Sequence, residues 1–164
     1  MSADPARLYD LIRFIRPLYR NLGRAVEKNL ADTPISVGMR AILEIVYEAG
    51  PVSVPKIADI MGTGRQYVQR MVNDNLAAGT LEKRANPAHR RSVLLALTES
   101  GRTAFEAIRA REAANLAAVA AGIDAADLEI CLKVVDALHR GFLDEEQPAD
   151  NELPPAYKDD CEGR

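Results

Sequence analysis

The fold of this chain is decided by residues 53–98, which read SVPKIADIMGTGRQYVQRMVNDNLAAGTLEKRANPAHRRSVLLALT. Apolar residues at helical spacing predict a short helix over 54–61 and a second helix capped by Thr63, and Gly62 provides the turn between them. Two short strands follow within 80–98, joined by a basic turn that starts with Asn-Pro. Two short helices, a glycine turn and a basic hairpin are typical of a winged helix-turn-helix.

The charge of the chain is unevenly distributed. Its net charge at pH 7 is −3, which by itself argues against a nucleic-acid partner. From Asp144 onward there are eight acidic and two basic residues, so residues 1–143 carry a net +3. Within 53–93, seven basic residues stand against three acidic ones. The positive charge therefore lies on the segment with the helix-turn-helix pattern, as expected of a surface that contacts DNA.

The segments on either side also predict helices. An amphipathic helix starts near Arg7, a second helix is capped by Ser36, a long helix starts at Glu99, and Asp124 opens a last helix. The first and last helices lie too far apart in sequence to belong to a small winged lobe, and their apolar stripes need a partner, so they predict a homodimer with two-fold symmetry. Such a dimer would place its two recognition helices one turn of DNA apart, roughly 34 Å.

The predicted fold class is mainly α with a small β-hairpin wing (α+β), in which terminal helices forming a dimerisation domain carry a winged helix-turn-helix lobe. The predicted organisation is an N-terminal dimerisation helix over 1–34, a DNA-binding lobe over 35–98 with its helix-turn-helix at about 53–78 and its wing at about 80–98, C-terminal dimerisation helices over 99–145, and an acidic, disordered tail over 146–164. No apolar run is long enough to cross a bilayer, and residues 1–20 lack a signal-peptide core, so we expect a cytoplasmic protein without a membrane partner.

The exposed side of the second helix has the residue types that read DNA bases. Arg65 and Arg70 can each donate two hydrogen bonds to guanine O6 and N7, and Gln66 and Gln69 can pair with N6 and N7 of adenine. The alternative is a solvated helix face, which Arg and Gln also form often. The neighbouring glycine turn and basic hairpin favour the DNA interpretation.

Further predicted DNA contacts flank that helix. Arg90 and Arg91, beside His89, would bring charge to phosphates or to a narrow minor groove, and the alternative is a charged hairpin edge that only prevents aggregation. Ser53 and Lys56 suit phosphate contact at the start of the preceding helix. The full set of predicted DNA-binding residues is Ser53, Lys56, Thr63, Arg65, Gln66, Gln69, Arg70, His89, Arg90 and Arg91.

At these residues the chain resembles the MarR family of bacterial transcription regulators. The resemblance covers residues 7–143 and is carried by VPKIADIMG at 54–62, RQYVQRMV at 65–72 and NPAHRRSVLLALTESG at 86–101. The chain departs from the family where His89 stands in place of the usual wing Asp. It also lacks the N-terminal reactive Cys of the family's peroxide sensors. The resemblance implies an obligate dimer that binds a pseudo-palindromic operator in double-stranded DNA.

The resemblance also implies a ligand cleft between the dimerisation helices and the lobe. The candidate lining residues, for each of which a core or surface role is the simpler alternative, are Tyr9, Arg13, Arg16, Tyr19, Met39 and Tyr47. We therefore predict a sequence-specific transcriptional regulator, namely a homodimeric repressor released by a small aromatic or phenolic ligand. The alternatives are a constitutive or architectural DNA-binding protein without a ligand, and a protein-interaction winged helix.

Nothing in the sequence indicates an enzyme. There is no Ser/His/Asp set, phosphate-binding loop or metal-ligand cluster, so no catalytic residue, cofactor or metal is predicted. The two cysteines, Cys131 and Cys161, are too few and too far apart for a zinc site or a disulfide framework. Cys131 lies in the apolar stripe of the last helix, where we expect a small core or interface residue.

Overall fold

The computed structural model describes residues 4–87 and 92–142. In chain order its elements are α1 (Pro5–Leu30), α2 (Val37–Ala49), α3 (Val54–Met61), α4 (Arg65–Ala77), β1 (Leu81–Ala85), β2 (Val93–Leu97), α5 (Glu99–Ala120) and α6 (Ala125–Gly141). Six helices and one two-stranded sheet over these residues confirm the predicted fold class. The predicted wing residues His89, Arg90 and Arg91, and the predicted tail over 146–164, lie outside the described residues.

Local sequence signals account for the starts of three helices. Asp4 caps α1, Ser36 caps α2 and Asp124 caps α6, and in each case the side-chain oxygen accepts from a backbone N–H two or three residues further on. Such a bond satisfies one of the N–H groups that have no partner inside the helix. Because of its cap, α1 begins before the predicted start at Arg7.

One hydrophobic core joins the end of α1, where Leu30 is buried, to α2, α3, α4, the hairpin and the first half of α5. Its most deeply buried apolar side chains come from α2, α3, α4 and α5 and are Ile42, Leu43, Ile57, Val68, Val72, Phe105 and Ile108. Replacing one of these large side chains by Ala typically costs about 2–5 kcal/mol. Because Phe105 and Ile108 belong to α5, this long helix is part of the winged lobe as well as an extension from it.

The hairpin is attached to the helix-turn-helix by a third short pairing. β1 and β2 are antiparallel, with Leu81 opposite Leu97. Val52, just before α3, donates its N–H to the carbonyl of Leu95 at 3.0 Å and accepts from the Leu95 N–H at 2.8 Å. The stem of the predicted wing therefore moves with the start of α3.

The end of α4 is held by a buried polar residue, Asn75, whose side chain is fully buried. Its amide donates to the carbonyl of Met71 at 2.9 Å, on α4, and to the carbonyl of Met39 at 3.3 Å, on α2. The hydroxyl of Thr80 lies 2.8 Å from the Asn75 Oδ1 and donates to it. A buried polar group left without a partner costs about 1–3 kcal/mol, so these bonds favour one arrangement of α2, α4 and the hairpin.

A close approach joins the start of the hairpin to α5. Gly79 follows α4 with φ 70°, a left-handed conformation that favours glycine. The Thr98 hydroxyl lies 2.7 Å from the Gly79 carbonyl and accepts from the Gly101 N–H at 2.9 Å. A Cβ on Gly101 would lie 1.9 Å from the carbonyl oxygen of Thr80. Glycine is therefore the residue that allows α5 to pack this closely.

We predict that Gly101→Ala lowers the free energy of unfolding by about 1–3 kcal/mol, because the added methyl group collides with main chain rather than with a flexible side chain. Urea denaturation followed by circular dichroism measures the change. Gly23→Ala is the matched control, since Gly23 is also helical but its added Cβ would meet nothing within 4 Å. That control should be as stable as the wild type or slightly more so. Wild-type stability of Gly101→Ala would contradict the close approach.

Candidate nucleic-acid interface

The turn before α4 differs from the prediction at one residue. Gly62 adopts φ 58° and ψ 36° and ends α3 in the left-handed region. The N–H of Thr63 donates to the carbonyl of Ala58 at 3.1 Å, so Thr63 completes the end of α3. Gly64 takes the cap position of α4 without a side-chain bond. The predicted cap at Thr63 is therefore wrong, whereas its contact with DNA remains a prediction.

α4 directs the predicted base-reading residues away from the core. Arg65, Gln66, Gln69 and Arg70 are all exposed, while Val68 on the opposite side is fully buried. We call these four residues the recognition arc. Neither arginine of the arc forms a salt bridge with another described residue. Their charges are therefore available to a partner.

Two residues beside the recognition arc, Tyr67 and Asn73, are not among the predicted DNA contacts but touch residues of the arc. The Arg70 guanidinium lies 5.5 Å from the ring centroid of Tyr67, and the Gln69 amide donates to Asn73 Oδ1 at 3.0 Å. Each contact joins residues three or four apart, which are neighbours on a helix. Both contacts restrict the arc before any DNA is bound. The contact between Tyr67 and Arg70 could have been predicted from the sequence, because the two residues are three positions apart on a helix.

The helix before the recognition arc and the hairpin after it carry further exposed basic residues. Lys56 lies in the first turn of α3, and Ser53 holds the cap position of that helix without a side-chain cap bond. On β1, Lys83 and Arg84 are both exposed, and Arg84 pairs with Glu82 at 2.7 Å. The sequence indicated these two strand residues only through the overall charge of the segment.

The predicted ligand-binding residues do not come together within one chain. Four of them are exposed along α1, and these are Tyr9, Arg13, Arg16 and Tyr19. The tyrosines are 64% and 77% exposed. Arg13 lies in an open groove whose other lining residues all belong to α1 and are Arg7, Asp10, Leu11, Phe14 and Pro17.

The other two predicted ligand residues lie on α2. Met39 is 5% exposed and belongs to the hydrophobic core, so its side chain does not line an open cleft. The ring of Tyr47 packs on Phe105, with centroids 5.2 Å apart. The guanidinium groups of Arg102 and Arg109 lie 5.2 and 5.3 Å from the centroid of Tyr47. Tyr47, which is partly exposed, therefore packs against α5 of the same chain.

Large apolar side chains remain exposed on α1, α6 and the second half of α5. They include Tyr9, Phe14, Leu18, Tyr19, Leu22, Leu116, Val119, Ile130, Val135 and Phe142. We call these residues the apolar face. None of the described residues of α6 is buried. Cys131, predicted as a core or interface residue, is exposed; the core alternative is wrong because α6 has no core to enter within one chain.

Among the described residues, no group of three or more His, Cys, Asp or Glu side chains could hold a metal ion. No helix of the described part is long and apolar enough to span a bilayer. Both findings concern residues 4–87 and 92–142.

Comparison with known proteins finds relatives that resemble this chain in sequence and in structure. A sequence model of the MarR family matches residues 40–92. An uncharacterised protein of Mycobacterium tuberculosis is 35% identical over 129 residues, which span 79% of this chain and 87% of that protein. The crystal structure of a MarR family transcription regulator is similar at 36% identity and TM-score 0.78, covering 84% of this chain and 91% of that one.

More distant solved structures share the fold. A MarR family protein from Bacillus stearothermophilus is 17% identical with TM-score 0.72, covering 85% of this chain and 98% of its own. Staphylococcus aureus MarR, solved in complex with salicylate and kanamycin, is 17% identical with TM-score 0.77, covering 86% of this chain and 95% of its own. At these identities the likeness concerns the fold alone.

Proposed function

Because the chain belongs to the MarR family of transcription regulators, we propose that it is a homodimeric, sequence-specific repressor that a small ligand releases from its operator. The observation that carries this proposal is the recognition arc on α4. The arc combines four hydrogen-bonding side chains on a helix whose other side is firmly packed. A rigid helix with exposed Arg and Gln has the chemistry needed to read base pairs.

The recognition arc suits the major groove of DNA. An α-helix fits that groove, and residues near its N-terminus reach the base edges. Arg65 and Gln66 open α4, and Gln69 and Arg70 follow one turn later, so all four would face the bases together. Because the Tyr67 ring already restricts the Arg70 guanidinium, that side chain loses less freedom on binding.

Support for the homodimer comes from the apolar face. Large exposed apolar side chains concentrated on three helices favour an interaction site over a surface that faces water alone. A second copy would cover α1, the second half of α5 and α6 at once, since a two-fold axis brings identical surfaces together. Two recognition arcs at a fixed distance would then bind the two halves of a pseudo-palindrome.

The proposed effector is a small aromatic or phenolic molecule. Staphylococcus aureus MarR, which shares the fold, has been solved with salicylate and kanamycin. In this chain Tyr9, Arg13, Arg16 and Tyr19 are exposed along α1, and guanidinium groups beside aromatic rings suit an aromatic carboxylate. A ligand between α1 and the second copy would favour one dimer geometry over another and so change the distance between the arcs.

We predict that Arg65→Ala weakens operator binding by about 1–3 kcal/mol and relaxes the preference for one base pair, because a bidentate donor is lost. Lys56→Ala should weaken binding to all sequences and lower the salt dependence by about one released ion, because a phosphate contact is lost. Mobility shifts at several salt concentrations measure both effects on duplexes that the wild type selects from genomic DNA. Unchanged affinity in both variants would contradict the assigned roles.

We predict that Leu18→Glu turns the dimer into a monomer of 17.9 kDa, because the new carboxylate cannot be buried against a second copy without a partner. Size-exclusion chromatography with light scattering measures the mass. Arg20→Glu is the matched control, since Arg20 is exposed on the same helix but lies off its apolar stripe. That variant should stay dimeric. A wild-type mass equal to one chain would rule out the proposed dimer.

We predict that salicylate raises the melting temperature of the wild type and releases it from the selected duplex, because a ligand that binds only the folded protein stabilises it. Differential scanning fluorimetry and a mobility shift with increasing salicylate measure the two effects. Arg13→Ala should reduce both. If salicylate and related aromatic carboxylates change neither, the constitutive DNA-binding alternative is favoured over the ligand-released repressor.

A further inference from the structure

An ion pair joins the winged lobe to the outer half of α5. Arg40, on α2, donates from Nε to Glu112 Oε1 at 2.7 Å and from a terminal nitrogen to Glu112 Oε2 at 2.6 Å. Its other terminal nitrogen donates to Glu44 at 2.8 Å, one turn further along α2. The Arg40 and Glu112 side chains are 14% and 16% exposed. We call the Arg40–Glu112 pair the clamp.

The clamp is a directional contact. Two parallel N–H···O bonds between a planar guanidinium and a carboxylate fix an angle as well as a distance. The hydrogen bonds to Glu112 raise the pKa of Arg40 above its ordinary value, although burial of the guanidinium acts to lower that pKa. Loss of hydration offsets much of the attraction in an ion pair removed from water. The main effect of such a pair is therefore on geometry rather than on net stability.

The clamp lies where two parts of the structure meet. On α2, Arg40 directly follows Met39, whose carbonyl accepts the hydrogen bond from Asn75 of α4. On α5, Glu112 lies about one turn beyond the buried Ile108, where the helix leaves the core and its apolar side chains become exposed. One side of the clamp is therefore connected to the recognition helix and the other side to the apolar face.

We propose that the clamp sets the angle between the winged lobe and the outer half of α5, and through that angle the distance between the two recognition arcs of the dimer. This inference rests on the homodimeric DNA-binding function proposed above. Arg40 and Glu112 belong neither to the recognition arc nor to the apolar face, so they are positioning residues. Loss of the clamp leaves each arc intact and changes where it stands relative to the arc of the second copy.

A small angular change is enough to matter. α4 has 13 residues, which at 1.5 Å per residue make it about 20 Å long. A tilt of about 10° around one end moves the other end by about 3.5 Å, close to the rise of one base pair. Because the second half-site adds affinity only when both arcs are in register, the effect appears in binding of the full operator.

The experiment compares Glu112→Gln with Glu44→Gln as a matched control. Both variants exchange a carboxylate that bonds Arg40 for an amide of the same shape, which offers one acceptor oxygen instead of two. Only Glu112→Gln removes the paired bonds between α2 and the outer half of α5, since Glu44 lies on α2 itself. Arg40→Lys is a second test, because an ammonium group retains the charge but cannot form the paired bonds.

Affinity is measured for three duplexes derived from the sequence that the wild type selects. The first has both half-sites, the second has one half-site scrambled, and the third has one base pair inserted between the half-sites. We expect Glu112→Gln to bind the duplex with both half-sites about tenfold more weakly than the wild type does. Its affinity for the duplex with one half-site scrambled should stay within about twofold of the wild type. The inserted base pair should change its affinity less than it changes that of the wild type. Arg40→Lys should behave in the same way, and Glu44→Gln should match the wild type.

Thermal unfolding of each variant accompanies the affinities. Equal losses on full and half sites, or the same loss in Glu44→Gln, would overturn the inference, because the damage would then lie within the lobe. Wild-type affinity and wild-type spacing discrimination in Glu112→Gln would also overturn it, while the proposed function would stand. If the wild type itself prefers no duplex over random DNA, the proposed function fails and the inference fails with it.

Discussion

The side-chain amide of Asn75 bonds to the main chain of α2, and the placement of the recognition helix depends on that contact. Hydrogen bonds require a particular distance and direction, so a buried amide selects one rotation of α4 against its neighbours. An apolar residue could fill the same space but would tolerate several rotations. The Thr80 hydroxyl on the Asn75 Oδ1 extends the arrangement into the hairpin. The Asn75 side chain therefore joins the hairpin, as well as α2, to the helix that carries the recognition arc.

α5 packs against the unit formed by α2, α4 and the hairpin, and it extends from that unit toward α6. Its first turn lies against the Thr80 carbonyl, which leaves no room for a Cβ at Gly101. Further along, Phe105 fills the lobe core, and the helix then continues outward to expose its apolar side chains. Because packed interiors resist gradual deformation, the first half of α5 is held as one unit with the lobe. In the proposed dimer, the contacts along one side of α5 would therefore decide how the lobe is oriented.

The sequence predicted most of the architecture because helix and strand periods, caps and turn residues are local signals. It predicted the orientation of Arg65 and Arg70 for the same reason, since the apolar stripe of α4 defines the opposite side. It did not predict contacts between distant segments. The clamp joins residues 72 positions apart, and nothing in their local sequences relates them. The cap at Thr63 failed because Thr63 completes the end of α3, where its N–H donates to the Ala58 carbonyl, and Gly64 takes the cap position of α4.

The recognition arc has only four side chains of two types, and this limits how much DNA sequence one copy of the chain could distinguish. Two arginines and two glutamines on an exposed helix occur in many proteins, so the arc of one copy alone would read only a short and degenerate DNA sequence. In the proposed dimer, selectivity for a longer operator would come from holding two arcs at one distance. A ligand or a charge change that never touches the arc would then alter DNA binding by changing that distance. In the structure, hydrogen bonds join α5 to α2 through the clamp and α2 to α4 through Asn75, so such a change at α5 would have a chain of direct contacts to the recognition arc.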